Sequence, residues 1–496
     1  MSAPFAPLYT VDQIRAIEQA AMRADPDARL MERAGASAAK LAVEMLGATG
    51  KHILILAGPG NNGGDALEVA LHLKRGFFSV HVVFTDDPGK LPNDATSALQ
   101  KWRAAGGECH AEIPPRRTWD LIVDGLFGIG LARSVSGQHA ALIAAANALG
   151  VPILALDIPS GINGDTGVVQ GSAIRATRTI TFIAHKPGLL TLDGPDHAGA
   201  LHCDPLGLAV ETLLPPEGRL IDANILASGP GPRRRNFHKG DAGSVAIFGG
   251  ANGMTGAALL AARAALKAGA GKVFLALLAD PPLSIDMHHP EIMIRRAEQL
   301  LGSGQFNALV AGPGLGTDAV AQRILAQMLR TNVPIVLDAD ALNLIGAYST
   351  LANTLVTRTA PTLITPHPAE ATRMLGSSVA EIQSNRIAAV RLLARRFKVA
   401  ALLKGNGSVL AVPDGDWWIV PAGNPGMASG GMGDVLAGVI GALLAQGVPS
   451  PQALHLGVYL HAAAADRCVA EGLGPIGLTA SEVIDRVRAL VNRHFL

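Results

Sequence analysis

An aspartate set in a glycine-crowded run is the first chemical signal in this chain. Glycines occupy 423, 426, 430, 431, 433 and 438 around Asp434, and an apolar, helix-competent stretch runs from Val435 to Leu444. Without a Cβ, glycine lets backbone N–H groups crowd an anion. The first turn of a following helix adds unpaired donors and partial positive charge. An aspartate is badly placed there to bind phosphate itself. It suits the group that takes a proton from a hydroxyl while the loop stabilises the phosphoryl group under attack. A capped loop at a tight helix entrance is the plainer reading, and this stretch alone leaves both open.

Other runs carry chemistry of the same kind. Lys404, Gly405, Asn406, Gly407 and Ser408 follow an apolar segment and suit the phosphates and base of a nucleotide. The order GxxxxGK[ST] of the triphosphate P-loop is absent. His367 stands between two prolines directly after an apolar run, three residues before Glu370. That place serves a helix start or a ligand contact.

In the first half, three loops leave apolar runs: Gly58 to Asp65, Asp124 to Arg133, and Asp157 to Asp165. Parallel strands gather such ends at one edge of a sheet. Asn62, Asp124 and Ser160 could therefore converge, and their amide, carboxylate and hydroxyl oxygens would form a site for a hard cation. No histidine or cysteine joins them, which disfavours zinc. Asp157 and Lys186 are candidates for proton transfer; Asp65 and Asp165 read as helix or turn caps. The loop from Gly58 to Gly64 lacks the GxGxxG fingerprint, so a redox dinucleotide domain is not supported.

Positioning these residues requires strands that end in loops. The spacing predicts helix from Val11 to Gly47, a strand over 52–57, and helix again from Ala66 to Arg75. Further strands are expected at 80–85, 121–124, 153–157 and 179–183, giving a three-layer α/β unit of roughly 215 residues. Pro215, Pro216 and Gly218, then the polar run to His238, mark a junction near residue 220. Beyond it the pattern of strand, Gly/Asp loop and helix repeats, at 244–248, 271–277, 308–311, 334–337, 362–365 and 398–403. A hairpin over 409–420 and helices at 435–446, 451–468 and 481–494 complete the expectation. The alanine-rich helix over 257–268 has few bulky groups, so it should pack very close to a neighbour. Thr479 and Glu482 have capping-box spacing.

Composition bounds the rest. Of 496 residues, 49% are hydrophobic and 16% charged, with a net charge of +1 and 57 glycines. That balance fits a well-buried globular protein and gives no electrostatic argument for nucleic acid or acidic lipid as partner. Mean hydropathy is +0.30, yet glycine and polar residues cut every apolar run before the roughly 18 residues a membrane span needs. No secretory signal is visible, and the three cysteines have neither metal-ligand nor disulfide-framework spacing. A cytoplasmic location is expected.

Taken in order, these motifs carry a resemblance that covers nearly the whole chain. The run from Gly58 to Asp65, the Asp124–Arg133 loop, the Asp157–Gly161 run and the Lys186 motif resemble the NAD(P)HX epimerase domain, the YjeF N-terminal domain of Rossmann-like fold. The second half is similar to the ADP/ATP-dependent NAD(P)H-hydrate dehydratase domain, of ribokinase-like fold. Its matching motifs are His238–Gly240, Gly312–Gly316, Asp338–Asn343, Thr365–Glu370, Lys404–Ser408 and Gly430–Asp434. The resemblance assigns 1–220 to epimerase and 221–496 to dehydratase.

It implies an α/β enzyme that interconverts the R and S forms of NADHX or NADPHX and dehydrates the S form with ADP or ATP. It also implies Mg²⁺ with the nucleotide, and K⁺ held by Asn62, Asp124 and Ser160. Gly60, Asn61, Asn62, Gly63, Gly128, Ile129, Gly130, Leu131, Ala132, Arg133, Ser134 and Asp157 would contact the epimerase substrate. Ala258, Gly316, His367 and Asp434 would contact the dehydratase substrate, and Lys404 to Ser408 with Gly433 the adenine nucleotide. Asp434, Asp157 and Lys186 are the expected catalytic residues, and a homo-oligomer is the family's usual form. Two positions depart from the pattern. Ala66 stands where glycine is common. Met432 stands where threonine is usual, which removes a hydroxyl from the phosphate loop. A small-alcohol or vitamin kinase domain fused to a non-catalytic nucleotide-binding domain is the alternative.

Overall fold

The computed structural model describes residues 5–131, 133–304 and 306–494. Two compact units emerge: Pro7–Gly218, and Arg219 onward together with the segment before Pro7. The expected junction near 220 lies two residues from the observed change of unit. The sequence reading also gave the opening residues to the first unit, whereas Phe5 and Ala6 belong to the second. The edge strand Phe5–Leu8 neighbours Gly218–Ile221 in the larger sheet.

Among the described residues of the first unit, seven strands lie in the order Cys109–His110, Ser79–Phe84, His52–Ala57, Leu121–Gly125, Ile153–Leu156, Arg178–Phe182 and Ala200–Asp204. All pair in parallel. Their central residues are buried on both faces (Ile53 to Leu56 and Leu121 to Val123 are each fully inaccessible), as helices on both sides of a parallel sheet require. Every loop after a strand therefore opens at one edge.

Two expected boundaries change. The helix predicted from Val11 to Gly47 is two helices, Val11–Ala24 and Leu30–Leu46. Pro26 lacks the N–H that a continuous helix needs and disfavours helical backbone at Asp25. Conversely, the helix expected at Ala66 begins at Asn61, so Asn61 to Asp65 form its first turn. Ala66, already helical, meets the alanine's backbone preference.

Among the described residues the larger sheet has eleven strands. From Met293–Arg295 at one edge it continues through Lys272–Leu277, Ser244–Gly249, Ala308–Ala311, Ile335–Leu337 and Thr362–Ile364 to Ala400–Leu403, all parallel. Ser408–Ala411 and Trp417–Val420 follow antiparallel. Behind the sheet the helices Thr255–Lys267 and Met432–Ala445 meet almost backbone to backbone. A Cβ on Gly438 would lie 2.1 Å from the Ala261 carbonyl oxygen, so small residues on both helices set the separation. No helix among the described residues is long and apolar enough to cross a membrane.

Candidate functional site

In the second unit the rim is built from four strand ends. Leu337 runs into Asp338, Ile364 into Thr365, Leu403 into Lys404, and the loop after Val420 into the helix Met432–Ala445. Lys404 Nζ lies 2.8 Å from Asp338 Oδ1 and 3.9 Å from Glu370 Oε2. Burial pulls the lysine's pKa down, but Asp338 and Glu370 outweigh it and hold the pKa above its usual value. Thr365 Oγ1 donates to the same Asp338 oxygen at 2.9 Å.

Asp434 is the third residue of its helix, whose entry is made by Gly431 at φ 90°. A Cβ there would come within 2.5 Å of Leu260 Cδ1, and one on Gly433 within 3.2 Å of Lys404 Nζ. The first turn is thus pressed onto the lysine. Burial pushes the Asp434 carboxyl up to about 7; Asp338, Asp340 and Glu370 add to the shift, and Lys404 opposes it. A carboxylate of that pKa accepts a proton near neutrality, which is what a general base requires.

His367 is the N-cap of the helix Pro368–Leu375. Its Nδ1 accepts from Ala369 N–H at 3.1 Å, and Glu370 reaches back to the His367 N–H at 2.8 Å. With Nδ1 accepting, Nε2 carries the hydrogen toward Glu370 Oε1, 3.1 Å away. The ring is half-exposed and faces the rim through this pair. Gly316 N–H donates to Asp340 Oδ2, and Asn343 donates to Oδ1. The Asp338–Asn343 motif thereby fixes the glycine loop.

Two of the residues singled out in the sequence turn inward. Ala258 is fully buried, its Cβ facing Gly249 and Gly250, so its side chain is a spacer between helix and strand end and has no open face for substrate. Met432 opens the helix and buries its side chain in the apolar core. The thioether therefore leaves the loop surface altogether.

Beneath Lys404–Ser408 lies a residue the sequence reading missed. Arg386 is almost wholly buried; its guanidinium sits 2.7 Å from where a Gly405 Cβ would be, and it donates to the Leu403 carbonyl at 3.2 Å. Gly405 has φ 148°, so only glycine fits above the arginine. Ser408 Oγ accepts from Gly405 N–H at 3.3 Å and closes the loop on itself.

The first unit gathers its own residues. Asp124 is fully buried and accepts from Ser160 N–H at 2.8 Å and Ser160 Oγ at 2.6 Å. Burial raises its carboxyl to about 6 against those hydrogen bonds. Asn62 is buried with neither Oδ1 nor Nδ2 hydrogen-bonded. An amide left unpaired in the interior costs roughly 1–3 kcal/mol, so its carbonyl oxygen calls for a partner. It lies beside Gly128, where a Cβ would be 3.2 Å from Asn62 Cγ and 3.1 Å from Asp157 Oδ2.

Asp157 has φ 62°, a strained backbone for an aspartate that turns its carboxylate toward this group. Lys186, fully buried, donates to Asp157 Oδ1 at 2.5 Å, to Thr181 Oγ1 at 2.9 Å and to the Phe182 carbonyl at 2.7 Å. Ile129 N–H donates to the other Asp157 oxygen at 3.3 Å. Glu18 and Asp65, not singled out as site residues, also feel this centre. Burial raises both carboxyls and Asp157 raises them further. Asp165 is the cap it was expected to be, accepting from Val11 N–H at 2.8 Å. Asp65 lies inside its helix and caps nothing.

Gly60 and Gly130 have open space where a Cβ would stand, whereas a Cβ on Gly63 would fall 1.9 Å from the Gly58 carbonyl oxygen, so its lack of a side chain is structural. Arg133 and Ser134 are exposed, Asn61 likewise, and Leu131 is half-buried. Ala132 lies outside the described residues.

A Rossmann-like unit whose strand ends carry an amide–carboxylate–hydroxyl group, followed by a ribokinase-like unit with an aspartate at a helix entrance, defines a two-site α/β enzyme. Comparison with known proteins gives the particular family. The NAD(P)H-hydrate dehydratase family matches residues 245–487, and the YjeF-related protein N-terminus matches 27–188. The bifunctional NAD(P)H-hydrate repair enzyme Nnr of Vibrio cholerae is 40% identical over 498 residues, covering 98% of both chains. That of Escherichia coli is 40% identical over 448 residues, 89% of this chain and 85% of its own. Among solved structures, the ADP/ATP-dependent NAD(P)H-hydrate dehydratase of Bacillus subtilis, co-crystallised with ATP and Mg²⁺, is 30% identical. It covers 54% of this chain and 96% of its own, at a TM-score of 0.48. The chain belongs to the bifunctional NAD(P)H-hydrate repair enzymes. A vitamin kinase fused to an inert domain is not favoured beside full-length relatives of that name.

Proposed function

We propose that the C-terminal unit dehydrates (S)-NADHX or (S)-NADPHX with ADP or ATP, and that the N-terminal unit interconverts the R and S forms. The observation that carries the first half is Asp434, raised to about 7 in the first turn of a helix beside the Lys404–Asp338 pair.

Hydroxide is a poor leaving group from C6 of the hydrated ring. In our reading the C6 hydroxyl oxygen attacks the terminal phosphoryl group, and Asp434 accepts its proton. AMP leaves if ADP is used, ADP if ATP is used. The ring nitrogen lone pair then expels phosphate, and loss of the neighbouring proton restores the dihydronicotinamide. Free N–H groups of the helix entrance, Gly433 among them, face the charge that develops. Lys404 supplies a fixed cation for the nucleotide phosphates, with Gly405 to Ser408 around them. His367 and Gly316 bound the substrate side.

Asp338 and Glu370 are engaged by Lys404, His367 and Thr365, and Asp340 by Gly316 and Asn343. We therefore assign Mg²⁺ to phosphate oxygens and water, where it would neutralise developing charge. Following NADH absorbance from mixed NADHX epimers with ADP or ATP tests this half. Turnover without either nucleotide would refute it.

For the epimerase, Asp157 is the acid/base that assists reversible loss of the C6 hydroxyl, and Lys186 holds its oxygen and charge. Asn62, Asp124 and Ser160 are the residues that would hold K⁺. The unpaired Asn62 amide and the three kinds of oxygen suit a hard cation, which would order the loop around Gly128. Epimer exchange by NMR in Asp157→Ala, with its fold verified, tests the assignment; exchange at the wild-type rate would exclude it. We place the enzyme in the cytoplasm as a homo-oligomer, by analogy with its family.

A further inference from the structure

The glycine-crowded run that carries Asp434 is held at its start by an aspartate far along the chain. Asp466 lies near the end of the helix Ser450–Ala470, and its carboxylate is a fork. Oδ2 accepts from Gly423 N–H at 2.9 Å, and Oδ1 accepts from Asn424 Nδ2 at 2.9 Å. One turn earlier on the same helix face, the Ala462 methyl is 3.7 Å from where a Gly423 Cβ would be. Gly423 itself has φ 112°, a backbone that favours glycine.

Asn424 passes the connection on. Its Oδ1 accepts from Gly426 N–H at 3.0 Å and so caps the short turn Pro425–Met427. A carboxylate only accepts, whereas a carboxamide both donates and accepts. The order of the two side chains is therefore fixed: Gly423 N–H and Asn424 Nδ2 point into Asp466, and Asn424 Oδ1 is kept for Gly426. Past the turn, Ser429 Oγ donates to the Leu478 carbonyl at 3.0 Å. Gly431 then sits against Leu260 and Ala480, 2.5 and 3.2 Å from where its Cβ would be. Ala428, Ser429 and Gly430 stay exposed along this stretch, which leads directly into the first turn with Gly433 and Asp434.

We infer that Asp466 is a positioning residue for phosphoryl transfer: through Asn424 it sets the run that brings the helix-entrance N–H groups and Asp434 to the phosphoryl group. This role rests on that of Asp434 as the base. The nucleotide loop Lys404–Ser408 leaves a different strand, so loosening the fork costs turnover and spares nucleotide affinity.

Exchanging the two side chains tests it. Asp466→Asn turns a carboxamide N–H₂ toward donors, and Asn424→Asp sets two carboxylates against each other. The double variant restores every bond with donor and acceptor exchanged. Its carboxamide at 466 accepts from Gly423 N–H and donates to the carboxylate at 424, which still accepts from Gly426 N–H. NADH formation from mixed NADHX epimers at saturating ADP gives kcat, and calorimetry gives ADP affinity. Each single variant should lose about 100-fold in kcat and hold ADP affinity within about threefold. The double variant should regain at least about tenfold over either single.

Asp434→Asn is assayed alongside. Turnover in it would remove the base assignment, whatever Asp466 does. An inactive Asp434→Asn beside either single variant at wild-type kcat would overturn the role of Asp466 alone. Affinity lost in step with kcat, or a double variant no faster than the singles, would also overturn it, by making the fork a purely structural contact. If a single variant loses its native circular dichroism, Asn424→Ser replaces it. Serine still caps Gly426 N–H and gives up only the bond to Asp466. There a loss of about tenfold in kcat is expected, and wild-type kcat would refute the role.

Discussion

Asp434 combines two properties that seldom coincide: it opens a helix, where negative charge is welcome, and it is buried among other carboxylates, where it is not. The second wins, as its pKa of about 7 shows. As a base it must be ionised, so dehydration at limiting substrate should fall about tenfold per pH unit below about 7 and level off above it; a pH profile of kcat/KM reads this directly. Asp434→Asn should abolish dehydration and leave nucleotide affinity within about twofold, measured by calorimetry.

The same shift is a stability statement. The folded chain keeps a proton on Asp434 that the unfolded chain releases above about pH 4. Its penalty therefore grows from about pH 4 to 7 and is full above that. Asp434→Asn should be more stable than the native chain by roughly 1–3 kcal/mol at pH 8, shrinking to nothing near pH 4, in urea titrations at both pH values. Lys186 poses the converse case. Asp157→Ala strands a fully buried ammonium and should cost about 3–5 kcal/mol, so its kinetics need the fold check alongside.

At the scale of elements, close approach is the recurring device. The alanine-rich helix was legible as one that packs tightly, because small side chains leave no other use for its face. The helix carrying Asp434 was legible too, but not that it is the close-packed partner, because a glycine at 438 does not say which neighbour it faces. Gly438→Ala should destabilise by about 1–3 kcal/mol despite the better helix propensity of alanine, since its Cβ would meet a backbone carbonyl at 2.1 Å. Chemical denaturation measures it. The early start of the helix at Asn61 was missed for a related reason. Two asparagines and two glycines read as a turn, whereas Gly63 lies so near the Gly58 carbonyl that a Cβ would meet it at 1.9 Å, a need for glycine that has nothing to do with a turn.

For the whole molecule, the opening segment is informative. Phe5 packs edge-on against Trp418 and His455, so the chain's start completes the unit formed by its second half. Phe5→Ala should speed hydrogen exchange at Trp418 and in the first turn of Ser450–Ala470, with an expected cost of about 1–3 kcal/mol. Exchange in the strands from His52 to Phe182 should not change.

By itself the sequence determined the two α/β units, the strand-end loops and the family, because buried parallel strands and glycine turns leave patterns local in the chain. The places of most candidate site residues, at strand ends and a helix entrance, were readable for the same reason. Only the tertiary structure decided which acids share Lys404, that Asn62 is buried unpaired, that Met432 and Ala258 turn inward, and that Phe5 belongs to the second unit. Those outcomes depend on pairings between residues far apart in sequence, and on burial, which sets the cost of each charge and has no local signature.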